Sequence, residues 1–225
     1  MTGIMDDGKA GISAGADAVG SADPVGCAKR EQILKGAETV FLANGYEGAS
    51  MSQIAQMAGV SKGTLYNHFD GKASLFSAFF EEQARCRLAP IEALSRSDEQ
   101  SVRLTLIRFA EMAVHMLISP MALGLYRIIV GEVEKFPNLA DTFWRYGFDR
   151  KLSNLTEYLT RIVARGELDI PDPRLSAEQF MLMCQARIVQ RRRFGLPVDD
   201  SDAAIAEFAA FTADSFLKIY EPRHQ

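Results

Sequence analysis

From Lys29 onward the apolar positions recur three and four residues apart. Ile33, Leu34, Ala37, Val40 and Phe41 fall on one face of a helix that Asn44–Gly45 stops. Ser50 opens a second helix, and Gln53 three residues on completes a capping box. Ile54, Ala55 and Ala58 form its inner face, and Gly59 ends it after about two turns. Val60 fills the gap, and Ser61 caps a third helix that carries Leu65 and Phe69 inward. Asp70 is placed to cap a fourth, apolar at Leu75, Phe76, Phe79 and Phe80 and extending to about Ser95. Further helices are predicted at Asp98–Ile118, Met121–Lys135, Leu139–Arg165, Leu175–Phe194 and Asp200–Tyr220, with breakers at 166–174 and 195–200. No stretch alternates at period two over a strand's length. The fold class is therefore all-α, nine or so helices: a small bundle to about residue 80, then a larger one. The divisions are a tail at 1–26, a first domain at 27–87 and a second at 88–225.

Composition refines this division. The tail holds six glycines and four aspartates and little bulky apolar mass, too little to offset the entropy of ordering it, so it is expected to be flexible. Net charge is −4 overall, yet residues 27–88 hold seven Lys and Arg against six Asp and Glu, the one segment that is not acidic. Three cysteines with no CxxC pairing argue for reduced thiols and against a disulfide framework. The first residues have neither the basic nor the apolar region of a signal peptide. No apolar run approaches the roughly twenty residues of a membrane helix. A cytoplasmic protein with no membrane partner is expected.

The short helix, glycine turn and second short helix at 50–69 have the layout of a helix-turn-helix DNA reader. Gly59 is suited to the positive φ of a tight turn. The second helix must project side chains into a major groove about 12 Å wide. Lys62 suits a phosphate and the Thr64 methyl a thymine methyl; Asn67 suits an adenine edge and the Tyr66 hydroxyl a phosphate. His68 suits a phosphate or the end of its own helix. Gly63 leaves the backbone free to approach a partner. The bland alternative is a hairpin that only packs, with Phe69 and part of Tyr66 in a core. Gly63 counts against it, since glycine early in a short helix costs about 1 kcal/mol relative to alanine.

These residues also carry a family resemblance. The run I-A-x-x-A-G-V-S-x-G-T-L-Y-x-H-F, the K-x-x-L-F after it and the F-x-x-x-G-Y-x-x-A-S before it strongly resemble the signature of the tetracycline-repressor-like (TetR/AcrR) transcriptional regulators, over about residues 29–80. Residues 125–147 are similar to the C-terminal domain of one branch, the AefR-like regulators. The resemblance implies a homodimer that inserts Lys62–His68 of each protomer into successive major grooves of near-palindromic, double-stranded operator DNA, commonly as a repressor. Ser50, Met51 and Lys72 would touch backbone phosphates, and the helix N-terminus at Ser61 would add N–H donors.

The resemblance further implies a pocket for a small hydrophobic effector in the second domain. Met112, Met116, Tyr126, Phe143, Trp144, Phe148, Met181 and Cys184 are its candidate walls, with His115 as a polar member. The alternative is a filled core, because Met and aromatic stripes at helical spacing usually are core. Glu111 and His115 stand four apart, as a weak metal or polar-ligand pair or a surface ion pair. The last two helices would build a four-helix dimer interface from Phe180, Ile188, Phe208, Phe211 and Phe216, unless these pack within one chain. Arg191–Arg193 end a helix, where solvated cations are favourable.

No nucleophile–base pair or glycine-rich phosphate loop stands out, and the three histidines are scattered. No enzyme, cofactor or metal is expected. Two alternatives remain open: a DNA-binding dimer without an inducer, and an all-helical enzyme or carrier with a vestigial DNA-binding domain.

Overall fold

A computed structural model describes residues 24–96 and 101–222; most of the expected tail lies outside them. The chain runs through α1 (Pro24–Gly48), α2 (Met51–Met57), α3 (Lys62–His68), α4 (Lys72–Arg96), α5 (Val102–Ile118) and α6 (Pro120–Glu132). There follow α7 (Asn138–Thr142), a π-helical stretch (Phe143–Asp149), α8 (Arg150–Ala164), α9 (Pro173–Met183), α10 (Ile188–Arg193) and α11 (Asp202–Tyr220). Among the described residues there is no strand.

The apolar stripes became the core. Ile33, Ala37 and Phe41 of α1, Ile54 of α2, Leu65 of α3 and Leu75, Phe76 and Phe79 of α4 are all essentially sealed from solvent. Phe41 meets the edge of Phe76 at 5.1 Å between ring centres, a geometry worth about 0.5–1.5 kcal/mol beyond burial. The same core continues into Met121, Leu125, Ile128 and Ile129 of α6. A second core joins α5, α8, α9 and α11 around Phe109, Phe180 and Phe216.

Two close approaches set the N-terminal unit. A Cβ on Gly36 would stand 2.8 Å from both the Cβ and the backbone nitrogen of Ala58, so α1 and the end of α2 touch where a side chain would not fit. Beside it, Gln32 Nε2 donates to the Ala58 carbonyl at 2.6 Å.

Three predicted elements need correction. Asp70 is exposed and does not cap α4; the Ser74 hydroxyl accepts from Gly71 N–H at 3.2 Å and closes that turn. The span 139–165 is helical throughout but not one α-helix, because Phe143–Asp149 widens to π geometry. The span 175–194 is broken at 184–187, where Arg187 takes φ 47° and ψ −83°, outside every helical region. No single described helix is long and apolar enough to cross a membrane; α5 and α6 would suffice only together, and they bend by 67° at Ser119.

Candidate nucleic-acid interface and the cavity behind it

The unit of α2, turn and α3 is fixed at its start and at its turn by helix caps. The Ser50 hydroxyl accepts from Gln53 N–H at 3.3 Å, while Gln53 Oε1 accepts from Ser50 N–H at 2.9 Å. At the turn Gly59 adopts φ 63°. Its N–H reaches Gln56 O at 3.1 Å and that of Val60 reaches Ala55 O at 3.0 Å, the paired bonds of a Schellman stop. Ser61 then caps α3, accepting from Thr64 N–H at 3.0 Å, and its hydroxyl also pairs with that of Thr64 at 2.8 Å.

α3 is anchored by Leu65, which is fully buried, with buried Phe69 just beyond its end. Lys62, Gly63, Tyr66 and Asn67 are exposed; Thr64 and His68 are partly buried. Tyr66 is 52% exposed, which takes it out of the core. A Cβ on Gly63 would meet only Ser61 Oγ, at 3.8 Å, so nothing inside the chain requires a glycine there. Met51 packs partly buried against the first core, so its backbone N–H, not its side chain, is what it can offer.

Lys72 departs from its expected role. Its ammonium donates to the carbonyls of Tyr46 at 2.7 Å, Glu47 at 3.2 Å and Ala49 at 3.0 Å. An ammonium has three donors, so all are committed. It also sits 4.6 Å from the centre of the Tyr46 ring, whose hydroxyl burial holds above its ordinary pKa. Lys72 therefore closes the loop ahead of α2 and is not free for a phosphate. From the other side Glu132, the last residue of α6, accepts the N–H groups of Tyr46 and Glu47. Gly45, at φ 71°, permits this: a Cβ there would lie 2.6 Å from Glu132 Oε1. The loop entering the reading unit is thus held by α4 and α6 together.

Behind α6, adjoining cavities of about 90 and 210 Å³, both partly open to solvent, share walls at Met116, Leu117, Tyr126, Phe143, Gly147, Lys151 and Arg193. Of the residues expected there, Met116, Tyr126, Phe143, Trp144, Phe148 and Met181 line this space. The other three stand elsewhere. Met112 packs into the second core. Cys184 is wholly buried in that core, its thiol pushed up to about 12 by desolvation. His115 is exposed, and its nearest acid is Asp202 at 3.8 Å, not Glu111. Among the described residues no cluster of metal-ligating side chains occurs.

Sequence reasoning missed the cations in the wall, Lys151 and Arg193 in both lobes and Arg87 in one. Lys151 lies at the start of α8, and its charged form is disfavoured chiefly by burial, then by the charge of Arg193, leaving a pKa of about 8. Arg193 is not a solvated helix end: its guanidinium lies 4.2 Å from the centre of the Tyr126 ring and donates to Gln185 Oε1 at 2.8 Å. Arg191 and Arg192 do face outward, toward the Pro197 carbonyl and Asp200. Three consecutive arginines on a helix point about 100° apart, so they cannot all share one solvated face; that was the available signal. Phe143, Gly147 and Lys151 lie four apart, the spacing that brings residues to one face of a helix, and all three line the cavity.

The expected dimer residues also divide. Phe180 and Phe216 are fully buried and Ile188 nearly so, all within this chain's own cores. Phe208 is partly buried, and Phe211 is 72% exposed. Leu182 on α9 and Ile219 on α11 are exposed as well.

Comparison with known proteins agrees with this arrangement. The family model for bacterial regulatory proteins of the tetR family matches residues 33–79, and that for the AefR-like transcriptional repressor C-terminal domain matches 104–222. The chain is 38% identical over 65 residues to the HTH-type transcriptional repressor AcnR of Corynebacterium diphtheriae, covering 29% of this chain and 34% of that one. It thus spans about a third of that curated relative's length. A crystal structure of a TetR-family transcriptional regulator from Mesorhizobium loti superposes with a TM-score of 0.80 at 26% identity, over 88% of this chain and all of that one. The flavonoid-responsive regulator FrrA does so with a TM-score of 0.74 at 28% identity and the same coverage. With the AefR-like match alone taking in more than half of its residues, this chain belongs to the TetR family of bacterial transcriptional regulators.

Proposed function

We propose that the protein is a DNA-binding transcriptional repressor, working in the cytoplasm as a homodimer on a near-palindromic operator and releasing it when a small apolar effector fills the cavity. The observation that carries this is the face of α3: Lys62, Gly63, Tyr66 and Asn67 lie exposed on a helix whose anchor, Leu65, is wholly buried. A helix so held presents donors and acceptors to a groove without unfolding anything behind it. Lys62 supplies phosphate attraction, Asn67 a base-edge contact and Gly63 room for the backbone. Half-sites roughly 34–36 Å apart would match the two protomers. Among the expected interface residues Phe211 is available to a partner, joined by Leu182 and Ile219; Phe180, Ile188 and Phe216 support it from beneath.

The cavity supports the effector half of the reading, as does the flavonoid response of FrrA. α6 lines the cavity through Met121, Leu125 and Tyr126 and ends on Glu132, which holds the loop ahead of α2. That makes α6 the candidate lever between the two sites.

Selection from random duplex DNA with the purified chain tests the first half: enrichment of a near-palindromic site footprinted by a dimer is expected. Failure to enrich any site would sink the DNA-binding reading. Sedimentation of Phe211→Lys tests the dimer, and a shift to monomer is the expected result.

A further inference from the structure

The cavity is apolar along most of its wall, yet three cations line it and no Asp or Glu stands among its described lining residues. Lys151 and Arg193 line both of its lobes. Arg87 lines the outer lobe, where it donates to the Ser119 hydroxyl at 2.7 Å. The polar neutral groups are Gln83, Gln185 and the Tyr126 hydroxyl. This is an unusual way to build a packed interior. Burying a charge is costly unless it is paired, and setting two like charges near each other adds to that cost. Lys151 shows the strain of both: desolvation and the charge of Arg193 bring it down to about 8. Arg193 stacks on Tyr126 and bonds Gln185, but a guanidinium has five N–H donors, so it has donors to spare. The wall is complete for an apolar body and lacks only a counter-charge.

Resting on the reading of this cavity as an effector site, we propose that the effector is an amphipathic organic acid. Its aromatic or aliphatic body lies against Phe143, Phe148 and Met116, and its acid group sits between Lys151 and Arg193. Such a ligand offsets the repulsion between Lys151 and Arg193, so a matched neutral molecule of the same shape binds less well. The anion should also raise the affinity of Lys151 for its proton, so anion binding and protonation of Lys151 favour each other.

The test is calorimetric titration of the full chain at pH 7 with two acids, decanoate and 3-phenylpropanoate, each against its primary amide. At least about a tenfold preference for acid over amide is expected, which is about 1.4 kcal/mol or more of differential binding by the factor-of-ten rule. Lys151→Met should abolish most of that preference while leaving amide binding within about twofold, and Arg193→Met should reduce it. In the wild-type protein the preference should fade as the pH rises past about 8, where Lys151 loses its proton, while amide binding stays level. This pH arm and Arg193→Met decide the matter if Lys151→Met does not fold. If acids and amides bind alike, or if the preference survives Lys151→Met and high pH, the charge assignment is wrong while the effector site stands. If neither acids nor amides bind, nor any member of a neutral apolar library, the effector reading fails and this proposal with it.

Discussion

α3 is held by Leu65 and shows its polar residues to solvent, whereas the cavity wall turns two cations inward among aromatic and methionine side chains. The reading unit is assembled from residues near one another in sequence: Ser50 with Gln53, Ala55 with Val60, Ser61 with Thr64. The cavity is assembled from α4, α5, α6, the π-helical stretch, α8, α9 and the end of α10. Local chemistry can be read from a string of letters; convergence of distant helices cannot. The joint between the regions, the stretch at residues 45–49 where α1 kinks at Gly45 and ends, belongs to both, and substitutions that disturb it have the largest effects.

Lys72→Met has the largest expected effect. It leaves three carbonyls of that stretch without the ammonium that now binds them. Bonds to a charged donor are worth about 1.5–3 kcal/mol and a stranded acceptor costs extra, so a loss of about 2–3 kcal/mol in urea unfolding is expected. The salt dependence of operator binding should stay as in the wild type. If stability held and the salt slope fell by about one, Lys72 would be a phosphate contact after all and the joint would belong to the DNA side.

Gly36→Ala comes next. The new methyl would press on the backbone of Ala58 at 2.8 Å, and backbone yields less readily than a flexible side chain. Overpacking of this kind costs about 1–3 kcal/mol, to be seen as a lower urea midpoint. Gly63→Ala is the contrast. Nothing in the chain opposes its Cβ and the helix gains up to about 1 kcal/mol, so folding should strengthen while operator affinity falls. Two glycines that look alike in the sequence thus separate into one required by the fold and one free for a partner.

That pair shows where the sequence was legible and where it was not. The helices, the capping box, the Ser61 cap and the positive φ at Gly59 follow from spacing and residue type within a few positions. The inner face of α1 through α4 was equally plain, because every apolar position in the stripe went to one core. The second domain was harder for a physical reason: its apolar residues have two destinations, core and cavity wall, and periodicity does not distinguish them. Cys184 and Met112 serve the core alone, while Met116 and Phe148 pack against the same core and also line the cavity. Lys151 was hidden by its residue type, since a lysine is expected at the surface even at the right helical spacing, and Arg193 by two outward neighbours. The roles of Lys72 and Glu132 depend on contacts 23 and 86 residues away, which no local pattern reports.

Asn67→Ala sharpens the DNA side. Asn67 is exposed and forms no part of the caps or the core, so folding should be unchanged within about half a kcal/mol. Base discrimination should fall by about 1–3 kcal/mol at one position of each half-site, measured by competition between the selected operator and its single-base variants. A loss that was uniform across sequences would instead make Asn67 a backbone contact.

Lys62→Ala is expected to do least, and it tests the comparison most cleanly because it sets one lysine against another. Lys62 and Lys72 lie ten residues apart, each at the first position of a helix, and on charge alone they are interchangeable. Only their surroundings differ. Lys62 is exposed, whereas Lys72 has all three donors committed to carbonyls. Removing Lys62 should therefore leave urea unfolding unchanged and reduce the slope of log affinity against log salt by about 0.9, the release of one phosphate's counterion. In practice that is a few-fold loss of affinity at low salt, shrinking as salt rises, with sequence preference intact. If Lys62→Ala and Lys72→Met changed the slope equally, the division between reading surface and joint drawn from their contacts would fail at its simplest point.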